Sequence, residues 1–183
     1  MNAVSAEIKV TGDWIVTNID ALDVTNAVDW HRLFKTNRLD NIIAEQVWEH
    51  LTKEQAILAN QNCYNYLKKG GRLRLVVPDG NKPYKNYIEW VKVGGKGLGA
   101  DDHKILYTYN TMKTKTEKAG FDVELLEYWH EKGNFPFTNW TNDEDLIRRS
   151  SRYDERNMDG SLAYISIIVD AKKKINWNHS AKP

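Results

Sequence analysis

The sequence predicts an α/β fold: a doubly wound, mostly parallel sheet flanked by helices and finished by an antiparallel C-terminal strand. Three observations carry this expectation. Residues 39–80 read as an apolar strand, an amphipathic helix and a second apolar strand, the pattern of a right-handed parallel crossover. The two strand runs are rich in Ile, Leu and Val without clean alternation, which suits strands buried on both faces. Two further strand patterns, 121–129 and 162–172, follow with no helical pattern between them, as an antiparallel finish requires.

In chain order, 7–10 is a short strand candidate, Gly12 and Asp13 form a turn, and 14–20 is a strand that delivers Asp20 at its end. A short helix is expected over 28–34, with Val28, Leu33 and Phe34 facing inward. The central unit opens with a strand ending at Ala44 and Glu45. Its helix, 52–68, starts where Thr52 and Gln55 have capping-box spacing. Ala56, Ala59, Cys63, Tyr66 and Leu67 recur at three- and four-residue intervals and make one buried stripe. Gly70 supplies a left-handed stop behind a lysine pair suited to the negative helix end. The strand 73–77 then runs into a Pro78-Asp79-Gly80 turn. A helix over 84–91 leads to 94–100, where four glycines in seven residues disfavour regular structure and predict a mobile loop. Asp101, Asp102 and His103 are placed to cap a helix over 104–118, closed by Ala119-Gly120. Residues 1–172 are expected to form a single domain and 173–183 a frayed tail.

Composition narrows the function classes. With 183 residues and 41% hydrophobic content, the chain can bury the core of one globular domain. Lys and Arg (26) nearly balance Asp and Glu (25), so no overall field points to nucleic acid or to a membrane surface. Cys63 is the single cysteine, which excludes an internal disulfide and a cysteine metal cluster and suggests a reducing, cytoplasmic setting. No apolar run approaches ~20 residues and no signal-peptide pattern is present. Seven tryptophans suggest aromatic-walled surfaces as well as core, and leave a homo-oligomer open.

In parallel sheets, chemistry gathers beyond the carboxyl ends of the strands, here 45–50 and 78–81. Glu45, Gln46, Glu49 and His50 are polar groups at the end of a buried strand, costly to enclose unless paired or wet, and are expected to line a cleft. Glu49 and His50 are also placed to cap the next helix. Asp79 lies across the same cleft, either touching an acceptor or simply building its turn. His103, oriented by a neighbouring carboxylate, has the chemistry of a general base near neutral pH. No metal is expected, because adjacent side chains diverge and no spaced histidine partner is visible. Arg148, Arg149, Arg152 and Arg156 suit either an anionic acceptor such as a sugar phosphate or a salt-bridged surface loop. Trp30, Trp90, Trp129 and Trp140 suit stacking on sugar rings or core packing.

The segments AEQVWEHL (44–51), LKKGGRLRLVVPDG (67–80), GADDHK (99–104), AGF (119–121) and the closing strand resemble the class I S-adenosylmethionine-dependent methyltransferases. The likeness is greatest to a group of small bacterial predicted methyltransferases and runs from about 14 to 172. It implies a Rossmann-like methyltransferase fold of seven strands, the last inserted antiparallel, with S-adenosylmethionine across the strand ends. By this resemblance Asp20 would bind the ribose hydroxyls, Glu45 and Gln46 would face cofactor or acceptor, and Ser5 and Ala6 would lie beside the methionine part. The implied reaction is methyl transfer to a small-molecule or saccharide acceptor, with His103 or His50 taking the proton and Asp79 near the acceptor. Two departures stand out: no glycine precedes Gly12, where relatives carry a glycine-rich turn, and Glu45-Gln46-Val47 replaces Glu-His-Val. The missing turn fits the alternative of a methyltransferase-fold binding domain that has lost its cofactor.

Overall fold

Leu73, Leu75, Val76 and Val77 have no exposed surface, and a backbone so enclosed needs hydrogen-bond partners along both edges. The computed structural model, which describes residues 9–11, 13–36, 38–141 and 147–175, supplies them. Its elements run β1 Lys9–Thr11, β2 Trp14–Val16, α1 Ala27–Phe34, β3 Leu39–Glu45, α2 Lys53–Tyr66, β4 Leu67–Pro78, α3 Lys85–Val91, α4 Tyr109–Glu117, β5 Phe121–Glu127 and β6 Ser166–Lys173. The main sheet has the order β3-β4-β6-β5. β3 and β4 are parallel and joined through α2, which is the expected crossover. β6 lies antiparallel to both β4 and β5, which is the expected closing strand, inserted rather than appended.

Among the described residues the main sheet therefore has four strands, not the seven implied by the resemblance, and its parallel part is the β3–β4 pair. β1 and β2 make a separate antiparallel hairpin. The strand expected over 14–20 stops at Val16, because the Asn18 carbonyl accepts the N–H groups of Ala21 and Leu22 at 3.1 and 2.8 Å. Asn18 Oδ1 takes the Ala21 N–H as well, at 3.0 Å, and the resulting turn carries Asp20.

The capping box of α2 forms as expected: Thr52 N–H meets Gln55 Oε1 at 2.9 Å, and Gln55 N–H meets Thr52 Oγ at 3.2 Å. Gly70, expected to stop that helix, serves another purpose. The helix ends at Tyr66 and β4 begins at once, with pairing that jumps from Leu39 opposite Leu67 to Asn41 opposite Arg72. Gly70, at φ +77°, lies in the resulting bulge. α4 starts at Tyr109 rather than 104, because Thr108 and Thr111 form the cap. β6 reaches Lys173, one residue into the expected tail.

Alternate residues of β4 face opposite layers. Leu73, Leu75 and Val77 meet Trp30, Phe34, Ala59, Cys63 and Met112 from the helices. On the other face Val76 packs with Leu126, Trp140, Ile147 and Ile168. Arg74 shares that second face, directly opposite Asp170 in the β4–β6 register. Its guanidinium donates to both Asp170 oxygens at 2.7 and 2.9 Å and to the Thr141 carbonyl at 2.6 Å, while lying 4.9 Å over the Trp140 ring. No described helix is long and apolar enough to cross a membrane.

Arg72 Nη1 also lies 3.6 Å from Asp170 Oδ2, so removing the carboxylate leaves two guanidinium groups without it. Asp170→Asn should lower unfolding free energy by about 3–5 kcal/mol in urea titration, while Arg74→Met with Asp170→Leu should recover most of that loss.

Candidate functional site

The site begins where β3 ends. Gln46 adopts a left-handed φ of +56° and donates its N–H to the Val76 carbonyl at 2.8 Å, turning the chain off the sheet into a single 3-10 turn, Trp48–His50. Trp48 anchors that turn by donating Nε1–H to Asn60 Oδ1 of α2 at 3.0 Å. Glu49 is thereby turned inward to 1% exposure, and its carbonyl accepts the N–H groups of Lys104 and Ile105 at 2.7 and 3.2 Å. Those two bonds lay 103–105 beside 49–50.

His103 arrives with its Nδ1 2.7 Å from the Val91 carbonyl at the end of α3. A carbonyl only accepts, so Nδ1 carries the hydrogen and the lone pair sits on Nε2. The rings of His50 and His103 meet edge to face at 4.8 Å. Asp102 does not orient its neighbour His103. Its Oδ2 lies 3.4 Å from His50 Nδ1, and its Oδ1 accepts from Lys104 Nζ at 2.6 Å. The side chains of Asp102 and His103 diverge, so the carboxylate serves the histidine brought over by the fold. One nitrogen from each ring and one Glu49 oxygen lie within 4.8 Å of one another.

Neither Glu49 oxygen has a hydrogen-bond partner in good geometry among the described residues, and the same holds for the Tyr107 hydroxyl. Burial pushes the Glu49 carboxyl up to about 8, opposed by its own backbone N–H and reinforced by Glu45. Burial also holds the His103 imidazolium below its ordinary range, with the Val91 carbonyl opposing and His50 adding to the effect. Tyr107 is raised chiefly by burial and then by the Glu49 charge.

The other expected site residues divide. Glu45 Oε1 accepts the backbone N–H groups of Arg148 and Arg149 at 2.8 and 2.6 Å, so it pins that loop to the end of β3. Gln46 reaches Ser166 Oγ at 3.4 Å. Asp79 is fully buried and builds its turn: it accepts from Asn81 N–H at 2.8 Å and Trp129 N–H at 2.6 Å, tying the end of β4 to the end of β5. Burial raises its carboxyl to about 6 even so. Asp20 lies exposed in the turn after β2. Ser5 and Ala6 lie outside the described residues. Arg156 forms two bonds to Asp154 at 2.7 and 2.6 Å, and Arg152 donates to the Trp140 carbonyl at 2.7 Å, the salt-bridged loop rather than an open anion grip. Trp30, Trp129 and Trp140 are buried, and Trp90 is half exposed. The sequence carried no signal for Tyr107 or Asn60, whose roles arise from packing alone.

A cavity of about 740 Å³ runs along β3 between the β1–β2 hairpin and α1, bordered by Trp14, Trp30, Phe34, Asn41, Ile42 and Glu45. Asp20 does not border it.

In overall shape the chain is similar to solved S-adenosylmethionine-dependent methyltransferases. One, from Archaeoglobus fulgidus, shares 18% identity over 81% of this chain and 65% of that chain, with a TM-score of 0.47. Another, from Methanosarcina mazei, shares 11% identity over 85% of this chain and 66% of that one, TM-score 0.49. An O-methyltransferase family protein from Burkholderia thailandensis shares 12% identity over 84% of this chain, TM-score 0.48. This chain spans 65% of the Archaeoglobus structure and 34% of the Burkholderia one. No family model matches the sequence, and no curated protein does.

Glu49 links the site to stability. Unfolded, it ionises near 4.5, and folded near 8, so between those values the unfolded chain binds fewer protons and stability falls as pH rises. Glu49→Gln should remove that component and be the more stable protein at the upper end of the window by on the order of a few kcal/mol. Urea midpoints of both proteins at the two ends of the window check this, and their difference isolates Glu49 from Asp79 and His103.

Proposed function

We propose that this chain is an S-adenosylmethionine-dependent methyltransferase that transfers the methyl group to an oxygen of a small-molecule or sugar-type acceptor. The observation that carries this reading is the His50–Asp102 pair, set against His103 and Glu49 at the carboxyl ends of β3 and β4. A hydroxyl is a poor nucleophile until its proton leaves. An imidazole whose Nδ1–H faces a carboxylate presents Nε2 as the base that takes it. His50 is partly exposed while Glu49 and His103 are buried, so His50 is the ring that meets an acceptor. His103, held by Val91, packs nearly perpendicular to the His50 ring.

S-adenosylmethionine, when bound, supplies a methyl group on a sulfonium that an acceptor oxygen attacks in line. The cavity along β3 falls within the range of about 300–1,000 Å³ typical of ligand sites, and its walls carry aromatic and polar groups suited to a nucleoside. Trp14 and Phe34 would pack on the base, with Asn41 and Glu45 as polar contacts. One pair of observations favours the second reading, a methyltransferase-fold binding domain without cofactor: Glu45 is already engaged by two amides, and Asp20 is exposed and not among the residues that border the cavity.

Calorimetric titration with S-adenosylmethionine and S-adenosylhomocysteine separates the two. The enzyme reading expects saturable binding of both, and the absence of heat at millimolar ligand selects the binding domain instead. With cofactor binding unchanged, His50→Ala should lower turnover of a hydroxylated acceptor by roughly 10²–10⁴-fold, the usual worth of a general base.

A further inference from the structure

We propose that Glu49, His50 and His103 together bind a divalent first-row transition ion of the zinc class. One donor atom from each side chain lies within 4.8 Å of the other two. Two imidazoles and a carboxylate, with one position left for solvent or substrate, is the donor set of an open zinc site. Magnesium and calcium prefer an all-oxygen shell, which two ring nitrogens do not provide.

Three further features support the assignment. Both rings have their other nitrogen engaged, His103 Nδ1 on the Val91 carbonyl at 2.7 Å and His50 Nδ1 beside Asp102 Oδ2 at 3.4 Å. That arrangement orients a ligating histidine and leaves Nε2 for the ion. Independently, Glu49 is 1% exposed, with both carboxylate oxygens lacking a partner among the described residues. A buried carboxyl in that condition is costly, and a cation held by the two rings supplies the missing interaction. Lastly, the backbone bonds from Lys104 and Ile105 to the Glu49 carbonyl hold the three ligands on two adjoining segments before any ion arrives.

Metal–ligand bonds of about 2.0–2.1 Å in a tetrahedron place ligands about 3.3 Å apart. Binding therefore draws the donors together, and His50, partly exposed on a 3-10 turn, has the freedom to close. The expectation of no metal rested on the side chains of Asp101, Asp102 and His103 diverging and on no spaced histidine partner being visible. The ligands that converge instead come from the turn after β3 and the segment after the glycine loop.

Ion binding does not depend on the methyl-transfer reading; only the use of the ion does. In that reading an acceptor hydroxyl at the open position loses its proton to solvent water, its pKa lowered by the ion, and the ion takes over the task given to His50.

The test is titration of metal-free, full-length protein with Zn²⁺ by calorimetry and with Co²⁺ by visible absorption. One ion per chain and the intense bands of four-coordinate Co²⁺ are expected. Glu49→Gln and His103→Gln should each weaken Zn²⁺ binding by 100-fold or more, on the order expected for a lost ligand, and Asp102→Asn by about 10–100-fold. His31→Gln, on exposed α1 surface, should change nothing. Asp102 is 65% exposed, so its variant tests the site even if the buried variants fail to fold. Absence of stoichiometric binding by the parent protein, or binding indifferent to Glu49→Gln, His103→Gln and Asp102→Asn, overturns the proposal. Ion binding without cofactor binding removes methyl transfer and leaves the metal site, and turnover by the metal-free protein keeps methyl transfer and overturns the ion's part in it.

Discussion

A strand segment enclosed on both faces must satisfy all its backbone groups from its neighbours, and in this protein that segment is Leu73 to Val77 of β4. Its pairing with β3 on one side and β6 on the other places every later feature. The parallel partner brings the carboxyl ends of β3 and β4 to the same edge, where Glu45 and Asp79 emerge. The antiparallel partner sets Asp170 opposite Arg74 and so decides that a charged pair, closed by Thr141 and Trp140, occupies the second face. Both carboxylates at the sheet edge accept backbone N–H groups: Glu45 Oε1 those of Arg148 and Arg149, Asp79 those of Asn81 and Trp129.

The reactive groups consequently sit one step beyond the strands. The left-handed turn at Gln46 lifts the chain off the sheet, Trp48 pins it to α2, and the Glu49 carbonyl receives the segment that carries His103. The backbone of Glu49 is thus well partnered while its side chain is not. A burial of that kind opposes stability wherever the carboxyl must ionise, and retaining it makes sense if the group serves a ligand, a proton or an ion. The His50–Asp102 pair and the His103–Val91 bond complete a compact polar cluster, buried at Glu49 and His103 and open to solvent at Asp102.

Much of this was legible in the sequence where the signal is local. Thr52 and Gln55 announce a helix start through bonds three residues apart, and the Ala56-Ala59-Cys63 stripe marks the buried face. Leu73 to Val77 lacks alternation because both faces are covered. Where two local readings compete, packing chose. Gly70 suits a helix stop or a bulge equally, and the register against β3 made it a bulge. Asp101 and Asp102 suit a cap, yet Thr108 caps α4 and Asp102 turns to His50.

The sequence by itself determined the crossover from β3 through α2 to β4, the final antiparallel strand and the polar character of 45–50, since each depends on periodicity or on bonds between near neighbours. Only the tertiary structure decided that Asp79 would be enclosed, that Asp20 would fall in an exposed turn, and that Glu49, His50 and His103 would converge. Those outcomes follow from contacts between segments far apart along the chain, whose geometry is set by sheet register and by which carbonyl receives which N–H, and no local pattern of residue types records either.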